Sequence, residues 1–120
     1  MVRLRRRGEF VAAARGAKQG GRAFLLQAIR RRGIDEAAAA SEVGIGITVT
    51  RKLGGAVVRN RARRRLREAL RQLLPGPAKP GHDYVVVARP AALSQDFAEL
   101  ARDLGGAFRD VERRLARGRP

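Results

Sequence analysis

Seven arginines stand within the 13 residues from Arg59 to Arg71, "RNRARRRLREALR". Guanidinium groups at this density suit one chemistry above others, the bidentate, charge-assisted binding of phosphate. At 100° per residue, Asn60, Arg64, Arg67 and Arg71 share one side of a helix, flanked by Arg61 and Arg65 and by Arg59 and Arg63. Val58, Ala62, Leu66, Ala69, Leu70 and Leu73 fall on the other side and form a seam fit for a core. An arginine face is ordinarily a solvated surface balanced by i,i+4 ion pairs. Here nine cationic residues between Arg51 and Arg71 meet a single acid, Glu68. Like charges at i,i+4, such as Arg63 and Arg67, cost roughly 0.2–0.5 kcal/mol each. A sequence that accepts this cost repeatedly is expected to find its counter-charge on a polyanion.

Other chemistry is poorly provided for. His82 is the only histidine and has no nucleophile, cysteine or acid cluster around it in the sequence, which makes it incidental. The 11 acids are spread singly or within helices, without the compact spacing of a protein-borne two-metal nuclease. "GGAV" precedes the basic helix but is no Walker loop. No catalytic residue and no metal ligand is therefore assigned to the protein itself.

The whole chain repeats the charge signal, with 27 Lys plus Arg against 11 Asp plus Glu, a net +16. Only three of the 27 are Lys, a preference that phosphate binding and GC-rich coding explain equally well, although coding bias leaves the net charge unexplained. Nucleic acid and anionic membrane are the candidate partners. Membrane is set aside because the helix's apolar face lacks the Trp or Phe of an inserting helix and is needed for the core. No apolar run approaches the roughly 18 residues of a span. The amino terminus has basic residues but no apolar h-region or cleavage site, so a cytoplasmic protein is expected. Without Cys, no disulfide, zinc finger or thiol nucleophile is available.

Positioning these residues requires a framework, and 120 residues suit one domain spanning 1–120, with 1–7 and 117–120 as loose ends. "EFVAAAR", 9–15, has the spacing of a short helix. "RAFLLQAI", 22–29, reads as a strand buried mainly through Phe24, Leu26 and Ala28, and a short extra strand fits near 17–21. Residues 30–41 read as a loop. "EVGIGITVT", 42–50, alternates Val43, Ile45, Ile47 and Val49 against a glycine-lined face open to close approach. The basic helix runs to about Leu74, where "PGPAKPG" stops it. "HDYVVVAR", 82–89, is an apolar strand, and Ser94 is the expected N-cap of a final amphipathic helix over 94–116. The fold class is α+β, a small two-layer sandwich in the order α-β-β-(β)-α-β-α.

"ITVTRKLGGAVVRNRARRRLRE", 47–68, resembles the signature of the bacterial ribonuclease P protein family. Lys52, Gly54, Ala56, Val57, Arg59, Asn60, Arg61, Arg63, Arg64, Arg67 and Glu68 match that motif at eleven positions in 17, and Gly55 stands where Asn is usual. "LRRRGEFVAAARGAK", "GRAFLLQAI" and "DYVVVARP" extend the resemblance over most of the chain. It implies parallel strands joined through the basic helix by a left-handed crossover, contrary to the usual hand. It also implies a protein subunit of a ribonucleoprotein endonuclease that removes the 5′ leader of precursor tRNA, with catalysis and Mg²⁺ belonging to the RNA subunit.

On this resemblance Arg59, Asn60, Arg61, Arg63, Arg64, Arg67 and Arg71 would meet the RNA subunit. Phe10, Arg51, Lys52 and Arg89 would line the leader cleft. Phe10 can equally be a core residue of its helix. Ala14 and Gln27 occupy positions that are often aromatic in the family, which shifts leader binding from stacking towards cations. The partners implied are the RNA subunit and precursor tRNA, with no DNA and no membrane. Another class, a structural RNA-binding protein such as a ribosomal component, would carry the same charge and fold class.

Overall fold

The structure is a computed structural model that describes residues 2–31 and 42–117. Five strands form one mixed sheet in the order β1-β4-β5-β3-β2, made of β1 (Val2–Arg3), β2 (Ala17–Gly20), β3 (Phe24–Arg30), β4 (Gly44–Thr48) and β5 (His82–Ala88). The helices are α1 (Arg7–Ala14), α2 (Ala56–Leu73) and α3 (Phe97–Arg117). Strands β2, β3 and β5 pair antiparallel, whereas β4 runs parallel to both β5 and β1. The parallel neighbours β4 and β5 are joined through α2, the connection the resemblance implies.

Period-2 alternation divides the sheet into two faces. Phe24, Leu26 and Ala28 of β3 and Tyr84, Val86 and Ala88 of β5 are buried in the main core with α2 and α3. Val85 lies on the other face in a smaller cluster with Leu4 and Ala13, against which Phe10, Ile29 and Val87 pack. The sheet with α2 and α3 forms the expected two layers, and α1 covers part of the opposite face.

The seam of α2 packs as its wheel predicts, with Ala62, Leu66, Ala69 and Leu70 buried. Arg65 leaves the cationic face and donates to the carbonyls of Ala92 at 2.9 Å and Gln95 at 2.5 Å, tying α2 to the 3₁₀ turn Pro90–Leu93. That turn displaces the start of the final helix. Ser94 closes the turn, and Asp96 Oδ2 instead accepts the Glu99 N–H at 3.2 Å, the geometry of an N-cap. Helix α3 runs unbroken through Gly105 and Gly106, with Gly105 buried where a Cβ would lie 3.5 Å from Leu73.

The lead-in at 1–7, expected to be loose, is built into the sheet from Val2. Val2 N–H donates to Val43 O and Leu4 N–H to Ile45 O, both at 2.8 Å, and Leu4 is buried. The Glu9 carboxylate then accepts the N–H of Arg6 at 2.8 Å and fixes the start of α1. A strand of two residues is too short to show a period, which is why the sequence does not announce it. Residues 118–120 and most of the expected loop at 30–41 lie outside the described residues.

Candidate nucleic-acid interface

The cationic rail is a property of one helix face. Asn60, Arg61, Arg64, Arg67 and Arg71 are exposed, whereas Arg59 and Arg63 are half-buried. Asn60 Oδ1 accepts from Arg63 at 3.0 Å, which orients both side chains along the rail. Arg71 pairs with Glu68 at 3.2 Å across one helical turn. Among the described residues no other rail arginine is ion-paired. Arg59 Nε is buried without a hydrogen-bond partner, so a strong donor is left open near the start of α2.

Asn60, Arg63, Arg64, Arg67 and Arg71 form one wall of a groove of about 1080 Å³ on the β1–β4 side of the sheet. Val2, Arg3, Leu4 and Arg5 form the other wall, with Ile45, Gly46 and Ile47 on the floor. Phe10 also lines it, so the groove joins a residue of the expected leader set to the arginine rail. The Phe10 ring lies over Gly46, where a Cβ would fall 2.7 Å from Cε1. The glycine-lined face of β4 thus admits this ring rather than a second backbone, and Phe10 serves as packing residue and groove wall together.

Arg51, Lys52 and Arg89 are not part of that groove. They follow the parallel strands β4 and β5, whose register places Thr48 opposite Val87, and so share one end of the sheet. All three are exposed, and Arg89 is braced by donating to Gly21 O at 2.7 Å. Gln27 is half-buried between Lys18 of β2 and Val85 of β5, on the face that carries α1.

Gly55 is the N-cap of α2, with φ −71° and no side-chain cap, and a Cβ there would meet open space. Asn fits this position without strain and would accept one of the first free N–H groups. Gly55→Asn is therefore expected to raise stability by a few tenths of a kcal/mol, roughly 0.3, read as a small rise in the midpoint of urea unfolding.

A family model described as ribonuclease P matches residues 1–112. The chain belongs to the ribonuclease P protein family. The ribonuclease P protein component of Ruegeria pomeroyi is 44% identical over 109 residues, covering 90% of this chain and 84% of that one. That of Caulobacter vibrioides is 42% identical over 116 residues, covering 97% and 74%. Among solved structures, the RNase P protein from Thermotoga maritima superposes with a TM-score of 0.72 at 25% identity, covering 92% of this chain and 98% of that one. The Staphylococcus aureus RNase P protein, at 22% identity with a TM-score of 0.71 and coverage of 92% and 94%, shares the fold.

Three features of this family member escape the sequence. One is the approach of Arg3 and Arg5 to the rail, which only the pairing of β1 with β4 brings about. Another is the diversion of Arg65 to backbone carbonyls, since a helical wheel cannot tell it from Arg61. The third is His82, which is buried with its Nδ1 2.9 Å from Glu112 Oε1. Tyr84 donates to the same Glu112 oxygen and accepts the Lys79 N–H at 2.9 Å. Burial, followed by the hydrogen bond to Glu112, pushes the Tyr84 phenol far above its ordinary pKa, so it remains a donor. This buried network closes the end of β5 against α3.

Proposed function

We propose that this chain is the protein subunit of a ribonuclease P ribonucleoprotein, binding the catalytic RNA and the 5′ leader of precursor tRNA during removal of that leader. The observation that carries the reading is the arginine face of α2, largely without acidic partners, in a chain of this family. Arg59, Asn60, Arg61, Arg63, Arg64, Arg67 and Arg71 are assigned to the RNA subunit, where their guanidinium groups can bridge phosphates. Phe10, Arg51, Lys52 and Arg89 are assigned to the leader. Phe10 supplies a stacking face and the three cations hold extended single strand electrostatically.

Hydrolysis needs a metal-activated nucleophile, and no three His, Cys, Asp or Glu side chains converge as a metal set among the described residues. We assign the Mg²⁺ to the RNA subunit, with the protein positioning substrate and screening phosphate charge. Among the described residues no helix is long and apolar enough to cross a membrane. On this reading the chain works in the cytoplasm.

Sequencing the RNA that co-purifies with the protein tests the assignment. Recovery of ribonuclease P RNA is the expected result, and recovery of ribosomal RNA would move the chain to the class of structural RNA-binding proteins. Phe10→Ala is expected to weaken holoenzyme binding of a long-leader precursor about fivefold or more, the equivalent of one lost stack of ~1 kcal/mol. Leaderless tRNA should be little affected. Phe10→Leu, which keeps apolar volume over Gly46, separates stacking from packing, and equal losses on both substrates would return Phe10 to a purely structural role.

A further inference from the structure

Strand β1 and the residues just after it bring Arg3 and Arg5 to a place that no local pattern announces. Leu4 is buried on the α1 side of the sheet, so alternation turns Arg3 to the opposite side, towards α2. Arg5, two residues further on and past the end of β1, also lines the groove. Neither is ion-paired among the described residues, and both are exposed. The backbone bonds of Val2 and Leu4 to β4 and the burial of Leu4 hold them in place against Arg63, Arg64, Arg67 and Arg71. Six arginines thus line one concavity, offset by Glu68 alone on the rail. Such an arrangement is built by the fold and differs from a tail of solvated charges, which would spread apart.

Resting on the function proposed above, we infer that Arg3 and Arg5 form the second wall of a phosphate-binding groove whose first wall is the α2 rail. Its occupant is the sugar–phosphate backbone of the RNA subunit. A strand lying in the groove places phosphates between the two walls and replaces like-charge repulsion across it with contacts on both sides. The groove, of about 1080 Å³, has room for a segment of backbone.

The test is the full chain carrying Arg3→Ala and Arg5→Ala, titrated with cognate ribonuclease P RNA between roughly 50 and 200 mM salt. The log–log salt slope is expected to fall by ~0.7–0.9 for each lost phosphate contact. An unchanged melting curve excludes a folding effect; if the Ala variant melts early, Arg3→Gln with Arg5→Gln gives the same readout. Arg3→Lys with Arg5→Lys should keep most of the slope. A second arm uses the holoenzyme with long-leader and leaderless tRNA. A slope loss confined to the leader-bearing substrate would keep the phosphate site and make the leader its occupant. Unchanged slopes in both arms would overturn the inference. Arg67→Ala, run alongside, separates the two levels. If it lowers the slope while the β1 variant does not, the second wall is wrong and the function stands; if neither does, the rail assignment itself fails.

Discussion

A chain carrying Arg64→Ala and Arg67→Ala is expected to bind its RNA partner with a log–log salt slope smaller by roughly 1.4–1.8, the sum of two lost phosphate contacts. Extrapolated from molar salt, this corresponds to a loss of roughly 15- to 30-fold in affinity near 0.15 M. Both side chains are exposed on α2 and neither is ion-paired among the described residues. Their removal takes no contact from the core and relieves like-charge repulsion along the helix, so the melting temperature should hold or rise slightly. Affinity lost without stability lost is the signature of an interface residue. Filter binding or fluorescence titration at several salt concentrations, beside a melting curve, gives both numbers.

Leu66→Ala is expected to act in the opposite way. Leu66 is fully buried in the main core on the same helix, one position from Arg67. Its truncation should cost ~2–5 kcal/mol, a large share of the ~5–15 kcal/mol that holds a domain of this kind together. The melting temperature should fall on the order of 10 °C or more. RNA-binding capacity would fall with the folded fraction, and saturating RNA should recover part of it by mass action. Once bound, the variant should show the parent's salt slope, because the rail is intact. Neighbouring residues of one helix would then separate stability from binding, as its two faces require.

Much of this duality is legible in the sequence. The period of Ala62, Leu66, Ala69 and Leu70 identifies the seam, and the excess of arginine over acid identifies the rail. Alternation in β3 and β4 is likewise visible, because a strand with one face in a core must separate its side chains by parity, whereas β5, buried on both faces, reads only as an apolar run. Contacts between distant segments are what the sequence conceals. The register of β1 against β4 pairs two residues, Val2 with Gly44 and Arg3 with Ile45, beside one buried leucine, too little for a pattern. It nevertheless converts Arg3 and Arg5 from a loose basic end into a groove wall. The same limit applies to Arg65, whose partners lie 27 and 30 residues away, and to His82, whose partner Glu112 lies 30 residues on. Local signals also compete, as at Ser94, where the 3₁₀ turn takes the residue and passes the cap to Asp96. Gly55 becomes intelligible only as a cap position, at which glycine sacrifices little relative to Asn.

We propose that hydrolysis belongs to the RNA subunit and that the protein works by holding RNA. Reconstitution at modest Mg²⁺ tests it most directly, with purified protein rigorously freed of nucleic acid and assayed on precursor tRNA alone and then with cognate ribonuclease P RNA. Leader removal only after the RNA is added is the predicted result; accurate cleavage by the protein alone would contradict it.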